Sequence, residues 1–182
     1  MQKFIFLIVL IMIIRCKTDK KKSYDKFIID QNITKNDTIK LLSNFPEVKL
    51  FKSEIIESKS RTAYIVQTVS WYNMSGKFDN YKSNATIKDD TLNISLNNSN
   101  GYFGNGILIK VFDGQYFIKD VDPKTLKGEE KFLPSKVTLQ KLTLNENHFK
   151  KSDSIYGAIY YKATVDHNIY KEMKGYFRTK IK

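Results

Sequence analysis

Few of the reactive side chains in this sequence are spaced for a known chemistry. His148 and His167 have no second histidine or cysteine at metal-ligand spacing, so we expect no metal site. Ser75 and Ser154 lie outside the G-x-S-x-G pattern of a nucleophile elbow. Paired carboxylates fall only in predicted turns or loops, at Asp89-Asp90, Asp120-Asp122 and Glu129-Glu130. We therefore predict no catalytic residue, no cofactor and no enzymatic activity. A hydrolytic enzyme stays open as an alternative, since two catalytic carboxylates can come from anywhere in a fold.

Cys16 is the single cysteine of the chain, and it closely follows its longest apolar run. Lys3 gives the region before the apolar run a positive charge, and residues 4–14 are eleven consecutive apolar residues. As a helix, eleven residues rise about 16 Å, which is roughly half the thickness of a bilayer core. The run is too short to span a membrane, and it predicts a secretory signal peptide over residues 1–15.

The residues Ile13-Ile14-Arg15-Cys16 resemble the bacterial lipoprotein signal, whose cysteine becomes the diacylated N-terminus. The resemblance implies lipidation of Cys16 with palmitate-type chains and attachment to a membrane of the cell envelope, inner or outer. Two acyl chains suffice for stable attachment. Arg15 departs from the small residue that normally precedes the cleaved bond. An uncleaved or differently cleaved leader, with Cys16 unmodified, is the alternative.

The composition is basic, with 31 Lys and Arg against 19 Asp and Glu. Removing residues 1–15 takes away Lys3 and Arg15 and leaves 29 against 19. This excess suits an anionic glycan, a phospholipid surface or nucleic acid. We expect no nucleic-acid partner, because an exported domain rarely meets nucleic acid and no binding motif for it is present. Several lysines crowd residues 16–26, which we interpret as a polar tether.

From residue 61 onward the hydrophobic pattern has the period of two that β-strands require. Asp89-Asp90 and Asp113-Gly114 each separate two apolar runs, as hairpin turns do. The runs at 62–72, 84–96, 106–120, 136–144, 153–165 and 175–181 add up to about eight strands. The sequence predicts a mostly β fold, an antiparallel β-sandwich of Ig-like or similar type over residues 61–182.

Two finer features are predicted at the edges of this domain. Residues 27–60 form a mixed segment in which Pro46-Glu47 could open a short helix, although the following residues also suit an extended strand. The apolar face of the strand at 136–144 changes near Gln140-Lys141, which predicts a β-bulge there.

The segments at 140–163 and 174–181 resemble a group of small predicted lipoproteins of Bacteroidetes-type bacteria. The matching residues are Leu142, Thr143, Leu144, Asn145, Asp153, Ser154 and Gly157, together with the terminal "GYFR" strand. Ser152 and Phe149 depart from the group's usual Gly and Tyr. The resemblance implies an envelope lipoprotein and brings no catalytic residues.

Aromatic residues are the best candidates for a ligand-binding surface, because exposed rings on a sheet can stack on sugars. The candidates are Trp71, Tyr72, Tyr102, Phe103 and Tyr116. Filling of the core by alternate members is the competing interpretation. We expect a non-enzymatic binding or structural module with a glycan or protein partner. The alternative is an immunity-type protein that neutralises a toxin by occlusion.

Overall fold

The described residues form two six-stranded β-sheets. The computed structural model describes residues 23–47, 60–72, 74–99, 104–122, 131–166 and 168–182. The first sheet has the order β1-β8-β7-β6-β5, with β9 also paired to β8, and the second has the order β2-β10-β11-β12-β3-β4. The strands are β1 (Asp25–Lys26), β2 (Ile28–Ile29), β3 (Ala63–Trp71), β4 (Met74–Phe78), β5 (Lys82–Lys88), β6 (Thr91–Asn97), β7 (Gly106–Phe112), β8 (Gln115–Asp122), β9 (Lys131–Leu133), β10 (Ser135–Leu144), β11 (Ser154–Val165) and β12 (Ile169–Lys180).

The two predicted hairpins are present with the predicted turns. Asp89 and Asp90 join β5 to β6 with φ angles of 48° and 58°. Asp113 and Gly114 join β7 to β8 with φ angles of 47° and 71°. Positive φ at both central residues gives the turn twist that suits flanking strands, and Asp and Gly tolerate it best.

Alternation along the strands places one face of each sheet in a shared core. Along β6 the residues Leu92, Ile94 and Leu96 are buried, and along β11 the same holds for every second residue from Ile155 to Val165. One hydrophobic cluster contains buried residues of both sheets. The predicted fold class is confirmed as mostly β, with two packed sheets consistent with a sandwich.

The described residues form twelve strands, whereas the sequence predicts about eight. The four additional strands are β1, β2, β4 and β9, which have two, two, five and three residues. Strands of two or three residues are too short to display alternation. The sequence of β4, "MSGKF", contains a glycine and little apolar character, so its pairing with β3 decides its conformation.

Residues 25–29 pair with both sheets of the sandwich. β1 pairs with β8 of the first sheet, and β2 pairs with β10 of the second sheet in parallel orientation. Phe27 lies between them and is buried in the common core. Within the predicted tether at 16–26 and the predicted mixed segment at 27–60, residues 25–29 thus pair with both sheets. The predicted antiparallel arrangement has one parallel strand pair, β2 with β10.

Two short helices lie in the described part of the N-terminal segment. A 3₁₀ helix spans Gln31–Lys35, and helix α1 spans Asp37–Leu42. The amide of Thr38 donates to the side chain of Asn36, which caps α1. The residues after Glu47 that were predicted as helix or strand lie outside the described ranges. The bulge of β10 lies earlier than its predicted place near Gln140-Lys141, because the register shift falls between Val137 and Leu139.

Candidate functional site

Two of the predicted ligand-binding aromatics form an exposed pair at the end of β3. The side chains of Trp71 and Tyr72 are 47% and 79% exposed, and their ring centroids are 5.5 Å apart. Met74, directly opposite Trp71 on β4, is also exposed. Tyr102 and Phe103 lie outside the described residues. The structure therefore places two of the five predicted aromatics together on one accessible edge.

Tyr116 is a correction to the predicted binding surface. Its side chain is only 1% exposed, because the alternation of β8 points residues 116, 118 and 120 into the core. Burial, and then the charge of Asp25, raises the pKa of its hydroxyl to about 12. Tyr116 is a core residue, as the competing interpretation of the aromatics required.

The predicted reactive residues do not converge in the described structure. His148 is exposed beside Asn147, and it borders a cleft of about 420 Å³ next to the Asp113-Gly114 turn. His167 and Cys16 lie outside the described residues. Within the six described ranges, no three His, Cys, Asp or Glu side chains are grouped to hold a metal ion. Of the helices described, none is long and apolar enough to cross a membrane.

A surface that sequence reasoning missed lies on the outer face of the second sheet. Residues at non-core positions of five adjacent strands form three cross-strand rows. The rows are Lys141-Tyr160-Lys174-Val66, Leu139-Lys162-Glu172-Thr68-Lys77 and Lys136-Thr164-Tyr170-Ser70-Ser75. We call this surface the lysine face. With strands about 4.8 Å apart, it is roughly 19 Å wide.

The centre of the lysine face is ordered by a small network. The ammonium of Lys162 lies 3.2 Å from the carboxylate of Glu172, its partner on β12. The ammonium groups of Lys162 and Lys174 lie 5.1 and 5.7 Å from the ring centroid of Tyr160, within cation-π range. Hydrogen bonds to Tyr160 and Glu172 raise the pKa of Lys162. The bond from Lys162 is the main reason that the pKa of Glu172 is lowered.

The charge of the lysine face is strongly one-sided. Its rows contain five lysines and the single carboxylate of Glu172, which gives a net charge of +4. Lys77, Lys136, Lys141 and Lys174 are exposed. The other row members include the hydroxyls of Ser and Thr and two tyrosine rings. Such a broad, cationic, hydroxyl-rich surface can contact an extended polyanion along its length.

The lysine face can be partly predicted from the sequence, because core and non-core residues alternate along β11 and β12. Once Ile159, Tyr161 and Ala163 are assigned to the core, Tyr160 and Lys162 must point to the opposite face. The strand order cannot be predicted from the sequence. It places Lys141 of β10 beside Tyr160, and it places Lys77 of β4 on the same face at the far edge of the sheet.

A second polar cluster is enclosed between the two sheets. The ammonium of Lys171 on β12 lies 2.7 Å from Asp120 on β8, and their side chains are 4% and 0% exposed. The hydroxyl of Tyr161 donates to the other oxygen of Asp120 at 2.5 Å. The neighbouring Tyr81 hydroxyl donates to the side-chain oxygen of Gln67, and both residues are fully buried.

Burial dominates the electrostatics of this inner cluster. It lowers the pKa of the Lys171 amine, while the nearby Asp120 acts in the opposite direction. It raises the pKa values of both Tyr81 and Tyr161, and the charge of Asp120 adds to the effect. Both tyrosines are therefore protonated hydrogen-bond donors at neutral pH.

Comparison with known proteins finds no matching family model, no similar curated protein and no similar solved structure.

Proposed function

We propose that this chain is a cell-envelope lipoprotein, anchored through Cys16, whose β-sandwich binds an acidic polysaccharide on the lysine face without catalysing a reaction. The observation that supports the binding role most directly is the excess of five lysines over one carboxylate in three adjacent rows. The anchoring role is supported by the apolar run that precedes the single cysteine. The resemblance to Bacteroidetes-type lipoproteins agrees with the anchoring role.

The chemistry of the lysine face favours an acidic glycan over other anionic partners. Flexible lysines bind carboxylates or sulfates as point charges, without the fixed geometry that an Arg fork imposes. The Ser and Thr hydroxyls can exchange hydrogen bonds with sugar hydroxyls, and the exposed ring of Tyr170 can stack on a sugar. The lysines are spread over five adjacent strands, so the surface suits a repeating chain better than a small compact ligand.

Binding can be tested with the full chain in detergent micelles and two immobilised polysaccharides. We expect binding to polygalacturonate, which has a carboxylate on each sugar, and none to neutral dextran. Replacing both Lys141 and Lys174 by Glu changes the charge of the lysine face from +4 to zero. The dissociation constant should rise by about tenfold or more, which corresponds to roughly 1.4 kcal/mol or more.

A matched control replaces two exposed lysines outside the lysine face, Lys88 and Lys151, by Glu. It changes the total charge of the protein by the same amount as the first variant. We expect this variant to retain most of the affinity, because charges at a distance are screened within about 8 Å at physiological salt. Equal weakening in both variants would mean that only net charge matters. Preference for single-stranded nucleic acid over polygalacturonate would also contradict the proposal.

Anchoring is tested by membrane fractionation and by the mass of the N-terminal peptide. Wild-type protein should carry a diacylated Cys16 and sediment with membranes, whereas Cys16→Ala should lose both properties. An unmodified cysteine in a membrane-free wild-type protein would mean that Arg15 prevents processing. The glycan-binding result does not depend on this outcome.

A further inference from the structure

The inner cluster places a primary amine against a carboxyl group where water is excluded. Nζ of Lys171 lies 2.7 Å from Oδ1 of Asp120 and 3.1 Å from the backbone carbonyl oxygen of Gly106. Oδ2 of the same carboxyl accepts a hydrogen bond from the Tyr161 hydroxyl. The two residues come from different sheets, β8 and β12. Nζ of Lys171 and both carboxyl oxygens of Asp120 thus each make at least one hydrogen bond.

As an ion pair this arrangement is incompletely satisfied. An ammonium group has three N–H donors, and the described residues supply Lys171 with two acceptors, Asp120 and Gly106. Removing two charges from water costs more than their attraction returns unless every donor and acceptor is paired. Burial favours the uncharged amine of Lys171. Proton transfer from Nζ to Oδ1 converts the pair into an amine and a carboxylic acid.

We propose that Lys171 and Asp120 condense into an amide cross-link between the two sheets. Nζ attacks Cγ of Asp120, and a C–N bond forms while the Cγ–Oδ1 bond breaks. One amine proton moves to the Oδ1 hydroxyl, which leaves as water. Oδ2 becomes the amide oxygen. No oxidant, metal or second substrate is consumed.

The surroundings match the transition state and the product of this condensation. The Tyr161 hydroxyl donates to Oδ2, where negative charge develops during the attack. In the product, the single amide N–H can donate to Gly106 and the amide oxygen can accept from Tyr161. Holding both reactants in contact is equivalent to an effective concentration of about 10⁵ to 10⁸ M, which offsets the normal disadvantage of amide formation in water.

This inference is independent of the glycan-binding proposal and is tested by peptide mapping of the full wild-type chain. After denaturation and trypsin digestion, we expect a branched peptide that contains both Asp120 and Lys171 and is lighter by one water molecule than its two parts. Trypsin should not cleave after Lys171. Recovery of the two linear peptides in full, with cleavage after Lys171, would overturn the proposal.

Two variants identify the atoms involved. Lys171→Arg retains a cation beside Asp120 but has no amine to acylate under these conditions, so its peptides should be linear. Tyr161→Phe removes the donor to Oδ2, and its cross-linked fraction should be smaller and should grow with incubation time. A water loss that persists in Lys171→Arg would place the modification elsewhere and refute the assignment.

Discussion

Substituting Gly157 by Ala should destabilise the protein through one side-chain collision. Gly157 on β11 is directly opposite Phe177 on β12, and the Phe177 ring packs over the glycine. A methyl group at Gly157 would lie 2.2 Å from Cζ of that ring, whereas ordinary van der Waals contacts begin near 3.4 Å. The ring would have to move by more than 1 Å to restore normal contact.

The magnitude follows from the surroundings of the ring. Phe177 is 0% exposed and belongs to the common core, so there is no solvent into which it can rotate. Overpacking of a dense core costs about 1–3 kcal/mol, and the short distance places Gly157→Ala at the upper part of that range. For a domain of this size, that cost lowers Tm by roughly 5–12 °C.

The assay is urea unfolding at equilibrium, with Gly106→Ala as the matched control. Gly106 is also a buried strand glycine, but a methyl group there would meet its nearest neighbour at 3.4 Å. Its unfolding free energy should change by less than about 1 kcal/mol. In Gly157→Ala/Phe177→Leu the smaller side chain should recover part of the loss. Equal unfolding free energies for Gly157→Ala and Gly106→Ala would refute the reasoning.

Three further measurements test the buried and surface contacts. Tyr81→Phe leaves the buried oxygen of Gln67 without its donor and should cost about 1–3 kcal/mol in urea unfolding, whereas Tyr81→Phe/Gln67→Met should be closer to wild type. Because Lys162 lowers the pKa of Glu172, the stability from this pair is present above about pH 4.3 and is lost as the pH falls further. Glu172→Gln should therefore flatten the acid limb of a pH-dependent thermal unfolding series, and an unchanged limb would contradict the pairing. The emission of Trp71, the single tryptophan, should be quenched readily by acrylamide, and Trp71→Phe should shift the unfolding free energy by no more than about 0.5 kcal/mol.

The sequence predicted the long strands because their burial follows the period of two. In β11 every second residue from Ile155 to Val165 is buried, and both hairpin turns lie at the predicted dipeptides. It did not predict β1 and β2, since a two-residue strand is defined by its partner and has no pattern of its own. It also placed the β10 bulge too late, because the irregularity at Thr138 leaves the apolar pattern intact until two residues later.

The candidate sites were harder to predict than the fold for a physical reason. Tyr116 and Tyr160 are both tyrosines within strands. Successive side chains of a strand alternate between its two faces, and this alternation buries Tyr116 and places Tyr160 on the lysine face. Asp120 and Lys171 are 51 residues apart, and nothing local predicts that they meet. The sequence predicts Asp120 in a turn or loop, whereas it is fully buried on β8.

A pulling force between Cys16 and a bound polymer would act first on residues 25–29, which are weakly held. The chain passes from the first sheet to the second within residues 25–29, held by two short pairings and by Phe27 in the core. If Cys16 is fixed in a membrane, any pull on a bound polymer is transmitted through these few hydrogen bonds before it reaches the long strands. Residues 25–29 would detach first and lengthen the tether by about 17 Å of extended chain. The two sheets behind them would stay assembled, so the segment would protect the domain from a pull exerted through a membrane anchor.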